Sequence, residues 1–79
     1  MEYLTFGKSE AIIEISEKFN DFKLTLRNDG VGAEYSFALS ALDQVKANLN
    51  EDTIKRVIKD VENSFTWGEQ KKAFENNLL

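Results

Sequence analysis

Any chemistry in this chain must come from carboxylates, amines and hydroxyls, because its 79 residues include no histidine and no cysteine. A hydroxyl nucleophile needs a base beside it. Lysine is the only candidate left, and no serine-x-x-lysine spacing occurs. A phosphate-cradling loop needs closely spaced glycines leading into a helix. Gly30-Val31-Gly32 follows Asn28-Asp29 instead, which is hairpin chemistry. The carboxylate pairs Glu51-Asp52 and Glu14-x-x-Glu17 lack the ligand spacing of a calcium loop. The first suits the positive end of a helix and the second a solvated strand end. Two carboxylates flanking a sugar would need a cleft for which so short a chain leaves little room. The expectation is a protein that is not an enzyme, with no catalytic, cofactor-binding or metal-ligating residues.

Binding is the remaining route to function, and four sets of residues are candidates for it. Tyr3 and Ile12 fall outside the core alternation, among Glu10, Glu14, Glu34 and Arg27, with Glu17 just beyond. An aromatic residue beside a β-branched one outside the core is an interface signal. Lys55, Arg56 and Lys59 form a basic stripe that could meet phosphate or an acidic partner, although Asp52, Asp60 and Glu62 lie among them. Trp67, Phe74 and Leu78 form a terminal apolar stripe that serves either as core or as interface. Glu10, Glu17, Asp21, Asp29 and Glu34 gather around the expected hairpins and could imitate a row of nucleic-acid phosphates.

These residues are positioned by two different periodicities. Up to Leu39 the pattern alternates with period two. Tyr3–Phe6, 11–15, Phe22–Arg27 and 33–39 read as strands, with turns at Gly7-Lys8, Asn20-Asp21 and Asp29-Gly30. This is an antiparallel meander. Pairing Asn28 with Val31 sets Leu26 opposite Ala33, Leu24 opposite Tyr35 and Phe22 opposite Phe37. A two-residue turn at Asn20-Asp21 sets Ile15 opposite Leu26, and Gly7-Lys8 sets Leu4 opposite Ala11. Leu4, Phe6, Ile13, Ile15, Phe22, Leu24, Leu26, Tyr35, Phe37 and Leu39 then share one face, and a one-residue slip would turn any strand's set to water.

After Leu39 the period changes to about 3.6. Ser40-Ala41-Leu42-Asp43 has the capping-box pattern, with Leu42, Val45 and Leu49 on one face. Asn50 caps a second helix that carries Ile54, Val57, Ile58, Val61 and Phe65. Thr66-Trp67-Gly68-Glu69 repeats the capping box where the apolar phase jumps. At 100° per residue, Trp67, Phe74 and Leu78 lie roughly 160–240° from the Ile54 stripe. A break near 64–66 and a third helix over about 67–77 follow. The fold class is α+β: a four-stranded antiparallel meander, then two or three helices packed on one face as a second layer. Residues 1–79 read as one small domain.

Charge narrows the partners. The net charge is −4. Residues 1–53 hold ten acids and five bases, while residues 54–79 hold four acids and five bases. Direct nucleic-acid binding needs a basic surface and is disfavoured. A larger protein partner, basic or nucleic-acid-handling, fits the acidic half, and a homodimer through a strand edge or sheet face stays open. No apolar run exceeds four residues, and Met1-Glu2-Tyr3 has no basic leader, so no membrane span and a cytoplasmic location are expected.

No family motif runs through these residues. In composition alone the chain is similar to phage and mobile-element accessory proteins. Those include anti-CRISPR and anti-restriction inhibitors, and toxin-immunity proteins have a similar build. The reading that results is a small acidic inhibitor that occludes a larger protein. The alternatives are a toxin-immunity protein, or a small nucleic-acid-binding regulator working through Lys55, Arg56 and Lys59.

Overall fold

Local turn chemistry sets the sheet, and the computed structural model describes all 79 residues, Met1–Leu79. Strands β1 (Glu2–Phe6), β2 (Ser9–Ser16), β3 (Asp21–Asn28) and β4 (Val31–Ala38) form one antiparallel sheet in the order β1-β2-β3-β4. A 3₁₀ turn over Leu39–Ala41 leads into α1 (Leu42–Asn48), α2 (Glu51–Glu62) and α3 (Trp67–Leu78). This is the expected α+β meander with three helices.

At the β3–β4 turn, Asp29 and Gly30 take φ of 53° and 81°. Two positive values in succession mark the mirror-image turn whose twist matches that of the flanking strands. Asn28 therefore opposes Val31, and Leu26–Ala33, Leu24–Tyr35 and Phe22–Phe37 follow. Gly7, at φ 63°, closes the β1–β2 turn and sets Leu4 opposite Ala11.

The β2–β3 turn differs from its expectation. It spans four residues, Glu17–Asn20, so Ile15 opposes Phe22 and Ala11 opposes Leu26. The longer loop satisfies its own backbone. The Phe19 N–H donates to Ser16 Oγ at 3.4 Å, the Asn20 N–H donates to the Glu17 carbonyl at 3.3 Å, and Asn20 takes φ 54°. Relative to the expected pairing, the partner of Ile15 moves by four positions. An even shift keeps every side chain on its expected face and changes only its neighbours. Ile15 does face the helix side, but it sits on the next-to-last rung before the loop and remains 54% exposed.

The helices cover one sheet face. Ala11, Ile13, Phe22, Leu24, Leu26 and Phe37 pack with Val45, Leu49, Ile54, Val57, Ile58, Phe74 and Leu78 in one buried cluster, and Tyr35 and Val61 lie at its margin. Two of the three expected helix caps are made. Asn50 Oδ1 accepts from the Thr53 N–H at 2.8 Å, and Thr66 Oγ1 accepts from the Glu69 N–H at 3.2 Å. Each meets a donor that the first helical turn leaves unpaired. The Ser40 capping box is not made. The 3₁₀ turn occupies those residues, and α1 begins after Ala41 with no side-chain cap.

Phe65 also departs from the α2 stripe and is 93% exposed. The helix has already ended. The Asn63 and Ser64 N–H groups bond back to Lys59 and Val61, and Ser64 Oγ donates to the Asp60 carbonyl at 2.7 Å. The chain leaves helical phase two residues before Phe65 could reach the core. In α3 the apolar stripe divides: Phe74 and Leu78 are buried, while Trp67 is 66% exposed.

Candidate functional site

With all helices on one side, the other face of the sheet is left without a covering layer. Strand alternation and register place its residues in rows across the strands. Tyr3, Ile12, Thr25 and Glu34 form one row. Thr5, Glu10, Arg27 and Gly32 form the next, and Glu14, Lys23 and Ser36 lie on the far side. Six of the seven expected open-face residues are thus brought together: Tyr3, Ile12, Glu10, Glu14, Glu34 and Arg27. Glu17 lies in the β2–β3 loop, exposed and outside the rows.

The role of Ile12 is corrected. It points away from the helices as expected, yet it is only 8% exposed. Its directly paired neighbours are Tyr3 on one side and Thr25 on the other. Central strands are crowded from both sides, and such neighbours shield a β-branched side chain without a second layer. Tyr3 lies on an edge strand, has one such neighbour, and is 65% exposed.

The charges on this face are partly neutralised in place. Lys23 Nζ lies 3.5 Å from Glu14 Oε1, and an Arg27 Nη lies 3.7 Å from Glu10 Oε1, both directly across β2–β3. Exposed pairs of this kind contribute about 0–1 kcal/mol each and mainly arrange charge. Glu34 and Glu17 make no ion pair, so they are the acids left free among the four candidates. These pairings require the four-residue β2–β3 loop, since a two-residue turn would have set Glu14 opposite Arg27.

The alternative basic stripe stays dispersed. Lys55, Arg56 and Lys59 are all exposed on α2. Arg56 turns back so that an Nη donates to Thr53 Oγ1 at 3.2 Å. Lys55 and Lys59 share a shallow recess of about 260 Å³ with Asp29 and Glu62, which dilute their field.

The only buried polar side chains are Ser9 and Thr53, and both are satisfied. Asn28 Nδ2 donates to Ser9 Oγ at 2.6 Å, which ties β3 to β2 beside the hairpin turn. No three carboxylates converge as metal ligands would. No helix is long and apolar enough to cross a membrane.

Sequence reasoning missed a second feature, at the β4 edge. Tyr35 is held between Phe37 and Phe74, with ring centroids 4.9 and 5.4 Å away, and Trp67 lies 6.1 Å from it. Together with Lys23, Glu34, Ser36 and Lys71 these aromatics line a recess of about 380 Å³. By pattern Tyr35 reads as core, and Trp67 as part of a terminal stripe that serves either as core or as interface. The only available signal was that Trp67 and Lys71 stand one turn apart on one helix face. Comparison with known proteins adds no kinship: no family model, curated protein or solved structure matches the chain.

Proposed function

We propose that this chain is a non-catalytic binding protein that lays the open face of its sheet over a larger protein and occludes it. The observation that carries this reading is Tyr3, an aromatic side chain 65% exposed on a sheet face with no helix over it. Tyrosine suits such a place because it offers a large contact area at small entropic cost. The surrounding face holds four carboxylates (Glu10, Glu14, Asp21 and Glu34) against two cations (Lys23 and Arg27), which favours a basic partner. Inhibition of a nucleic-acid-handling enzyme, in the manner of anti-CRISPR or anti-restriction proteins, is the specific form proposed. Its support is this acidic, uncovered surface together with the composition. Toxin immunity would use the same surface chemistry. The nucleic-acid reading through Lys55, Arg56 and Lys59 gains no support, since Asp29 and Glu62 stand beside the two lysines.

The test is capture from the native host with wild-type protein and two variants, followed by surface-plasmon kinetics on the retained protein. Tyr3→Ala is expected to raise the dissociation rate tenfold or more if Tyr3 contributes at least about 1.4 kcal/mol. Glu10→Lys with Glu17→Lys is expected to slow association and flatten its salt dependence, because rim charges act mainly through steering. A partner held unchanged by both variants but lost with Lys55→Glu and Lys59→Glu would refute the open-face reading.

A further inference from the structure

The two edges of the sheet are not equivalent. Edge strands offer unpaired N–H and C=O groups, and proteins commonly blunt them with short length, inward-pointing charge, proline, bulges or a covering element. The β1 edge is blunted. It has five residues, a Glu2–Lys46 ion pair at 3.0 Å ties it to α1, and its turn is pinned where the Lys8 N–H donates to Glu51 Oε2 at 2.8 Å. The β4 edge has none of these devices. It is eight residues long, pairs in unbroken register, contains no proline, and turns only Val31, Ala33, Tyr35 and Phe37 toward the helices.

The hairpin determines which backbone groups are free. In a two-residue hairpin the residues flanking the turn, Asn28 and Val31, form a hydrogen-bonded pair, and pairs then alternate. Val31, Ala33, Tyr35 and Phe37 therefore aim their backbone at β3. Gly32, Glu34, Ser36 and Ala38 aim theirs outward. Beside these groups stands the recess walled by Tyr35, Trp67 and Lys71. Edge strand and helix thus make a groove with an aromatic wall already held in place by Phe37 and Phe74.

We propose that this groove takes an extended acidic segment of a partner polypeptide as a fifth strand, by β-augmentation. Alternate side chains of such a strand face the helix side. One apolar or aromatic residue would rest on Tyr35 and Trp67. An acidic residue two positions away would meet Lys71, which makes no ion pair. Lys23, on β3 and facing the open side of the sheet, is already paired with Glu14 at 3.5 Å. Of the two ammonium groups in the lining, Lys71 is therefore the one left without a carboxylate partner, and it stands beside the aromatic wall on the helix side. A second copy fits less well. Antiparallel pairing of two β4 edges about a two-fold axis would set the two Lys71 ammonium groups against each other on the helix side. The groove is a separate surface from the Tyr3 face, and its occupant is a segment rather than a broad protein surface.

The probe is a blocked peptide, Thr-Glu-Thr-Phe-Thr-Glu-Thr, titrated into ¹⁵N-labelled protein up to millimolar concentration and compared with its lysine-for-glutamate counterpart. The chain's net charge of −4 favours the lysine peptide for non-specific association, so a preference for the acidic peptide that maps to these amides is diagnostic. The expected result is shifts centred on the Glu34 and Ser36 amides and the Trp67 indole, with the acidic peptide at least tenfold tighter. Lys71→Glu should reverse that preference, and Tyr3→Ala should leave it unchanged. Absence of shifts at these amides, shifts centred instead on Tyr3 and Ile12, or equal affinity for both peptides would overturn the proposal. So would concentration-dependent shifts of the same amides without peptide, which would assign the edge to a second copy.

Discussion

Substituting Gly7 by alanine tests how the hairpin layer is locked to the helical layer. Gly7 has φ 63° and Gly30 has φ 81°, so a side chain at either position incurs roughly 1–2 kcal/mol of left-handed strain. The two sites differ in what a Cβ would meet. At Gly30 nothing lies within 4 Å. At Gly7 the new atom would stand 2.8 Å from the Glu51 carboxyl carbon and closer still to Oε2, the oxygen that accepts from the Lys8 N–H. Glu51 must swing away, and its hydrogen bond goes with it. That bond is charge-assisted but exposed, so about 1 kcal/mol is a reasonable value. Gly7→Ala should then cost about 2–3 kcal/mol and Gly30→Ala about 1–2 kcal/mol. Glu51→Ala alone should cost about 1–1.5 kcal/mol, from the same bond plus a carboxylate at the α2 N-terminus. In the double variant the bond can be lost only once, so a coupling of about −1 kcal/mol is expected. Urea unfolding is the assay. With a slope near 1 kcal/mol/M for a domain this small, each kcal/mol moves the midpoint by about 1 M. The reasoning fails if Gly7→Ala is no worse than Gly30→Ala, or if its cost adds fully to that of Glu51→Ala.

Three further expectations concern stability. Leu24 is fully buried between the sheet and α2, so Leu24→Ala should cost about 2–5 kcal/mol, as truncated core leucines do, seen as a lost or strongly lowered urea midpoint. Asn28→Ala strands the buried Ser9 hydroxyl and should cost about 1–3 kcal/mol, whereas the pair Ser9→Ala and Asn28→Ala together should cost less than the two changes summed. Thr66→Ala removes the α3 cap and should cost about 0.5–2 kcal/mol, with amide hydrogen exchange rising first in the N-terminal turn of α3 and not in β3.

Much of the architecture was written in short-range pattern. Period-two alternation and the Asp29-Gly30 turn determined the β3–β4 register, because a two-residue primed turn leaves only one pairing of its flanks. Asn50 and Thr66 marked helix starts, because a cap is a contact between residues three apart. The β2–β3 loop misled the reading where Asn20-Asp21 looked like a complete turn. The Ser16 hydroxyl and the Glu17 carbonyl compete for that backbone, and they lengthen the loop. Phe65 and Ser40 failed for a related reason: periodicity continued past the points where backbone hydrogen bonding had ended one helix or imposed a 3₁₀ turn before another.

The candidate sites divide along the same line. That Tyr3, Ile12, Glu10, Glu14, Glu34 and Arg27 share one face followed from alternation by itself, since parity along a strand survives even an error of four in register. Which of them is available did not follow. Tyr3 is open and Ile12 closed because one lies on an edge strand and the other between two neighbours, and strand order is a property of the assembled sheet. Likewise Glu10 and Glu14 are paired while Glu34 is free, because the register sets Arg27 and Lys23 opposite the first two and Thr25 opposite Glu34. The β4 groove belongs wholly to tertiary structure. Tyr35 and Trp67 are 32 residues apart, and they meet because α3 turns back over the sheet to bury Phe74 and Leu78. Burial of those two side chains drives the docking, and the exposed aromatic wall is a consequence of where the helix then begins.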